Sequence, residues 1–212
     1  MALEVILGTS SFIRKKILTE MGFKFTVMTA DLDEKSFGTR SSAADATALV
    51  ALLARAKADA ITQKIQSLCR NDVEGRAQLP SLLLTADSVA TFEGEILEKP
   101  VSLEQAAGFL RRYGCGNPVS IVSGICVTNL LTGAQHQLVD TSSAIFTPFS
   151  QEAIDSLLSE GTVLKCAGGI IIEHPLVRPF IREIQGSEDG IQGLPKHVVL
   201  QLIKEATETQ GV

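Results

Sequence analysis

The strongest constraint on this chain is the run Leu7-Gly8-Thr9-Ser10-Ser11-Phe12-Ile13-Arg14-Lys15-Lys16. Val5, Ile6 and Leu7 before it are apolar and β-branched enough to predict a short buried strand. Behind it, Ile17, Leu18 and Met21, with Phe12 or Ile13, recur at helical spacing. Gly8 permits a tight turn between the two elements, and Thr9, Ser10 and Ser11 provide hydroxyls and a helix N-cap. The first helical turn then carries Arg14, Lys15 and Lys16, cations set against the positive end of the helix dipole. A bound anion would compensate for this arrangement, because free backbone N–H groups, hydroxyls and a guanidinium all suit phosphate oxygens. Taken alone, the run also fits an ordinary capped helix whose lysines point into water.

The rest of the chain alternates strands and helices early and shows a hairpin late. A strand is expected over 23–28, a helix from Ala43 to about Leu68, and a polar surface loop from Arg70 to Pro80. Leu82–Leu84 and Val89–Phe92 read as two strand pieces interrupted by Thr85-Ala86-Asp87-Ser88. Ser102 and Gln105 form a capping-box signature for a helix to about Tyr113. Alternating segments over 119–129 and 135–146, joined through Thr132-Gly133, predict a hairpin. Ser150 starts a further helix ending at Gly161, Ile170–Ile172 reads as a short strand closed by Glu173, 180–184 as another strand, and Pro195 opens a final helix. The pattern predicts an α/β fold, a mixed twisted sheet with flanking helices, formed as a single domain over residues 1–212 with two lobes about a cleft.

Composition excludes several classes. With 212 residues, 45% of them hydrophobic, a sizeable core is available. A net charge of −5 argues against a dedicated nucleic-acid binder, which shows the opposite excess. Cys69, Cys115, Cys126 and Cys166 are scattered without CxxC spacing, and His136, His174 and His197 lie far apart, so neither a zinc site nor a disulfide framework is expected. No apolar run is long enough to cross a membrane, and the chain enters a strand at once, which leads us to expect a cytoplasmic protein.

Asp87 sits at the edge of an apolar run, where a carboxylate is costly without a partner. Such a group beside cations suits a general base or a metal ligand; a local turn hydrogen bond with Ser88 is the simpler alternative. Lys57 falls off the centre of its helix's apolar stripe and reaches either a cleft or water. Lys99, held extended by Pro100, is placed to clamp a phosphate or to sit solvated in a loop. Glu34 either completes a magnesium site with Asp87 or caps a turn. Glu173 follows a double glycine that would let a ligand approach the backbone. One carboxylate base, several cations and hydroxyls at a helix start together suit chemistry on a polyphosphate.

In order along nearly the whole chain, these residues resemble the Maf family of nucleotide pyrophosphatases. Leu7–Leu18 resembles the family's opening motif of serines and paired arginines, Asp31-Leu32-Asp33-Glu34 its acidic motif, and Ala54-Arg55-Ala56-Lys57-Ala58 its helical lysine segment. Ala86-Asp87-Ser88-Val89 resembles the segment bearing its catalytic Asp, and Glu98-Lys99-Pro100 its lysine-proline motif. Cys166-Ala167-Gly168-Gly169 through Glu173, and Gly193-Leu194-Pro195, resemble its C-terminal signatures.

The resemblance implies a Maf/inosine-triphosphate-pyrophosphatase-like fold with a nucleotide-binding cleft. It implies hydrolysis of a nucleoside triphosphate to monophosphate and pyrophosphate with a divalent cation, Mg or Mn, and a homodimer. Asp87 would be the proton acceptor and, with Glu34, a metal ligand; Thr9, Ser11, Arg14, Lys57 and Lys99 would hold the triphosphate. Ile13, Ser88 and Glu173 would set specificity. Thr9 stands where the family has its first serine, Phe12 where it has proline, Ile13 where it has the first arginine, and Glu173 where the pyrimidine-preferring branch has glutamine. The last two resemble the branch preferring 7-methyl-GTP. A carboxylate accepts from guanine's adjacent N–H groups and favours the positive charge of a 7-methylated ring. The alternatives are a dTTP/UTP pyrophosphatase, an enzyme acting on deaminated purines such as ITP, and a non-catalytic nucleotide-binding regulator of cell division.

Overall fold

A computed structural model describes residues 4–69 and 80–208. The expected loop from Arg70 to Pro80 lies, apart from Pro80, outside the described residues. The core is a mixed seven-stranded sheet. β1 (Glu4–Gly8) lies parallel between β2 (Lys24–Val27) and β3 (Leu82–Phe92). β3 then pairs antiparallel with β4 (Glu95–Leu97) and β5 (Pro118–Asn129), and β6 (Gln135–Phe146) and β7 (Ile181–Gln185) complete the sheet. The helices are α1 (Phe12–Glu20), α2 (Ala46–Cys69), α3 (Leu103–Tyr113), α4 (Gln151–Glu160), the short α5 (Glu188–Ile191) and α6 (Lys196–Glu208). None of the described helices is long and apolar enough to cross a membrane.

The expected α/β architecture with a mixed sheet and flanking helices is present, and the caps act as read. Ser102 Oγ accepts from Gln105 N at 3.1 Å and Ser150 Oγ from Ala153 N at 3.2 Å, while Gly161 ends α4 at φ 67°.

Three local expectations change. Thr85–Ser88 does not interrupt β3, which runs unbroken for 11 residues. All of it but the last residue is paired to β5, from Leu82↔Asn129 to Thr91↔Ser120. Each polar side chain in the stretch also has a partner, so a polar residue there costs the strand little. Glu173 does not end a strand: Ala167–Gly169 forms a 3-10 turn with Gly168 and Gly169 at φ 64° and 65°, and 172–177 continues as turns. Gly8 does not supply a tight turn through a positive φ; its backbone passes so close to β3 that a Cβ would lie 2.5 Å from Thr85 Cγ2 and 2.7 Å from Ile61 Cδ1.

Alternate residues of β3 face opposite helices, the period-2 rule of a strand. Leu83 packs with Ala54, Ala58 and Ile61 of α2, and Val89 with Leu49, Val50 and Leu53. On the other face Leu82, Leu84 and Ala86 pack with Ile17 and Leu18 of α1 and Val199 and Leu202 of α6. Ala90 and Phe92 continue into a separate core with α3 and α4. The buried face of α2 centres on Leu49, Val50, Leu53, Ala54, Ala58 and Ile61, whereas Leu52 is exposed. Lys57 therefore lies on the sheet-facing side, not off it.

Close docking of α2 depends on Gly124, which pairs with Asp87; a Cβ there would fall on the Val50 carbonyl, well inside van der Waals contact. Gly124→Ala should therefore lower unfolding free energy by about 1–3 kcal/mol, the usual cost of forcing extra volume into a packed core. Urea denaturation would measure it, and unchanged stability would show that α2 does not rest on this glycine.

Candidate active site

The site forms where β3 changes partners. β1 pairs with it only as far as Gly8↔Thr85, and β4 begins at Ala90↔Leu97. Along that edge, residues 86–89 have no neighbouring strand, although β5 covers their other edge. The Thr9–Ser11 turn leaves β1 on one side of the gap, and the loop carrying Lys99 follows β4 on the other.

Asp87 faces α2 and is buried. Lys57 Nζ lies 2.5 Å from its Oδ1 and 2.8 Å from Glu34 Oε1, so one ammonium joins two carboxylates. The Asp87 and Lys57 side chains are 11% and 13% exposed, which keeps the pair strong, while Glu34 at 50% reaches from the solvent side. Asp33, and not Glu34, caps the short 3-10 turn 34–36, accepting from Lys35 N at 3.2 Å. Arg40 braces the same loop: it donates to the Glu34 and Phe37 carbonyls at 2.7 Å each and pairs with Glu98 at 2.9 Å. No sequence signal marked Arg40.

Arg14 enters from the opposite face. It donates to Gly193 O at 3.0 Å, to Ala86 O at 2.8 Å across the open edge, and to Ser88 Oγ at 2.7 Å. Burial pulls its pKa below the ordinary arginine value, and the charges of Asp87 and Glu34 act against that shift. Three guanidinium N–H groups are thus committed to the protein, which makes Arg14 a clamp between α1, β3 and the turn before α6. Ser123, behind Ser88, shares a 2.8 Å hydroxyl contact with it. Ser123 was not singled out from the sequence, where its only signal is a hydroxyl inside the apolar run of β5.

Thr9 is buried and its Oγ1 accepts from Ser11 N at 3.1 Å, while Ser11 Oγ caps α1 by accepting from Arg14 N at 3.4 Å. Among the described residues the N–H groups of Ser10, Phe12 and Ile13 have no partner, which leaves donors at the helix start. Ile13 packs into the core beneath α1. Lys99 is exposed and has no ion pair among the described residues. Burial raises the Cys166 thiol's pKa; Glu173 adds to the rise, and Lys99 and Lys165 oppose it. Gly168 N donates to Glu98 O at 3.0 Å, which ties the segment carrying Lys99 to the turn that precedes Glu173. Glu173 lines a groove of about 490 Å³ with Lys16, Glu20, Arg178, Gln192 and Lys196 among its walls.

The structure therefore brings Asp87, Lys57, Glu34, Arg14 and Ser88 together, sets Thr9 and Ser11 at one rim and Lys99 at the other, and places Glu173 in the groove. Among the described residues no group of three or more His, Cys, Asp or Glu is arranged for a metal. The candidate pair Asp87 and Glu34 meets through Lys57.

The site thus sets a carboxylate at an open strand edge and unpartnered backbone amides at the start of the helix that follows the neighbouring strand. The family model for Maf-like proteins matches residues 4–206, and the chain belongs to that family. It is 34% identical over 204 residues to a 7-methyl-GTP pyrophosphatase of Dictyostelium discoideum, covering 96% of this chain and 98% of that protein. It is 31% identical over 202 residues to a dTTP/UTP pyrophosphatase of Dehalococcoides mccartyi, covering 95% and 82%. A dTTP/UTP pyrophosphatase of Neisseria gonorrhoeae is 28% identical over 200 residues, covering 94% and 92%.

Lys57→Met should destabilise the protein by about 2–3 kcal/mol at pH 7, because it leaves two carboxylates facing each other without a cation. Adding Asp87→Asn should restore much of that loss. A double-mutant cycle by chemical denaturation measures it, and additive losses would mean that the ion pair contributes nothing of its own.

Proposed function

We propose that this protein hydrolyses 7-methyl-GTP to 7-methyl-GMP and pyrophosphate. Membership of the Maf-like family makes it a nucleotide pyrophosphatase, a hydrolase. The observation that carries the mechanism is Asp87 held against Lys57 and Glu34 at the unpaired edge of β3. A water between Asp87 and the α-phosphorus would lose its proton to the carboxylate as it attacks, and pyrophosphate would leave. The free amides at the start of α1, with the Thr9 and Ser11 hydroxyls, suit the phosphate oxygens from one rim. Lys99 and the Lys57 ammonium, on transfer from Asp87, neutralise the charge that builds on the leaving group.

The donor set fits a divalent cation of the magnesium or manganese kind, which takes one or two carboxylates and completes its shell with water and substrate phosphates. Asp87 and Glu34 would hold it once Lys57 moves to the phosphates. The charges of Asp87, Glu34, Lys57 and Arg14 sum to zero, which supports arrival of metal and nucleotide together. When bound, the ion supplies Lewis-acid stabilisation of the phosphoryl oxygens.

The choice of base rests on Glu173. Among the described residues it has no hydrogen bond or ion pair, and it lines a groove whose other walls include Lys16, Arg178 and Lys196. A free carboxylate there matches the adjacent donors on guanine N1 and N2 and the cationic ring of its 7-methyl form. The 34% identity to the Dictyostelium enzyme supports this reading.

A panel of 7-methyl-GTP, GTP, ITP, dTTP and UTP with magnesium or manganese, followed by pyrophosphate release, tests the proposal. Preferred turnover of dTTP and UTP would overturn the methylated-purine reading. Asp87→Asn should lower kcat by about 10²–10⁴-fold while the fold is retained, as loss of a general base does. If wild type binds nucleotide and neither protein turns it over, the chain is a binding regulator and the catalytic reading fails. Glu173→Gln should cut kcat/KM for 7-methyl-GTP by about tenfold or more, through loss of a charge-assisted hydrogen bond.

A further inference from the structure

Phe12 opens α1 with 75% of its surface exposed. A single exposed phenylalanine is ordinary on a protein surface, but the position of this one is specific. Of its neighbours, Ile13 is partly buried against the core under α1, and Arg14 is tied to Ala86, Ser88 and Gly193. Lys16 and Glu20, one and two turns further along the same side of the helix, line the groove that contains Glu173. Phe12 lies one helical turn before Lys16 on that side, in the stretch between the groove's α1 wall and the Thr9–Ser11 turn along the chain. A nucleotide with its phosphates at the turn and its base edge at Glu173 must cross that stretch.

We infer that Phe12 is the stacking face for the nucleobase and a specificity-determining residue of this protein. The inference rests on the groove holding the base, as set out above for Glu173. A benzyl ring stacks on any base, and its negative π-face adds attraction when the base carries a positive charge. Phe12 on the face and Glu173 on the edge would then both favour the cationic 7-methylguanine ring, through different physics.

The chain contains no tryptophan, so Phe12→Trp creates a single fluorescent reporter at the position in question. Made together with Asp87→Asn, it keeps a bound nucleotide uncleaved. Titration with 7-methyl-GTP, GTP and dTTP should quench this emission, whereas tripolyphosphate, which has no base, should not. In the otherwise wild-type enzyme Phe12→Ala should raise KM about tenfold, with kcat changed far less, and Phe12→Trp should restore it. The KM ratio of GTP to 7-methyl-GTP should also shrink in Phe12→Ala. If no nucleotide quenches more than tripolyphosphate, or if Phe12→Ala keeps the wild-type KM for the triphosphate cleaved fastest, the stacking role is overturned. A wild-type preference for dTTP and UTP overturns the methylated-purine reading alone, because quenching by dTTP would still place the base on Phe12.

Discussion

Everything at the site follows from one strand changing its neighbour. β3 runs parallel to β1 as far as Thr85 and antiparallel to β4 from Ala90, so residues 86–89 keep one edge without a partner inside an otherwise continuous sheet. A buried edge of that kind needs its polar groups satisfied. Arg14 does this for the Ala86 carbonyl from one face. On the other face, Lys57 neutralises the carboxylate that period-2 alternation turns toward α2. The strand supplies rigidity because β5 pairs with it from Leu82 to Thr91, and the missing neighbour supplies access. A catalytic carboxylate needs both, and neither a fully paired strand nor a loop would give them together.

The Lys57 pairing converts this backbone feature into a chemical one. An ammonium 2.5 Å from Asp87 and 2.8 Å from Glu34 keeps two carboxylates close without requiring either to be neutral. Its placement depends on how near α2 comes to the sheet, which the absence of a side chain at Gly124 permits at Val50. Lys57 lies two turns beyond Val50 on the same face, so a glycine on β5 governs the reach of a lysine on α2. The cluster has no spare positive charge, and a triphosphate brings several negative ones. Within the proposed reading a further cation comes with the substrate, and the same two carboxylates are the groups that would receive it.

Much of this was legible in the sequence, because much of it is local. The strand-turn-helix at the N-terminus, the caps at Ser11, Ser102 and Ser150, and the hairpin at Thr132-Gly133 are each set by residues within a few positions of one another. What the sequence hid was pairing across distance. Thr85–Ser88 looked like a break because its partners, Ala54, Lys57, Ser123 and Arg14, lie between 30 and 74 residues away. Lys57 looked displaced from its stripe because Leu52 counted as core, yet it is exposed, and the true face of α2 is turned toward Val50 and Ala54. Glu173 looked like the end of a strand because three isoleucines preceded it, but the left-handed glycines at 168 and 169 break the extended geometry a strand needs.

The three positions expected to set specificity do not share one environment, and this decides where discrimination can arise. Ile13 is partly buried against the core under α1, and the Ser88 hydroxyl is engaged by Arg14 and Ser123. Neither presents a free polar group to a base. Glu173 alone of the three lines the groove with a side chain that has no hydrogen bond or ion pair among the described residues. Within the proposed reading, the edge of the base is therefore read by one carboxylate, and an aromatic at the helix start supplies its face. A glutamine at 173 would offer one donor and one acceptor in the same place, which fits a pyrimidine and gives nothing to a cationic ring. Within the same reading, a change of one atom at position 173 would shift the preference between the two substrate classes on an unchanged phosphate site.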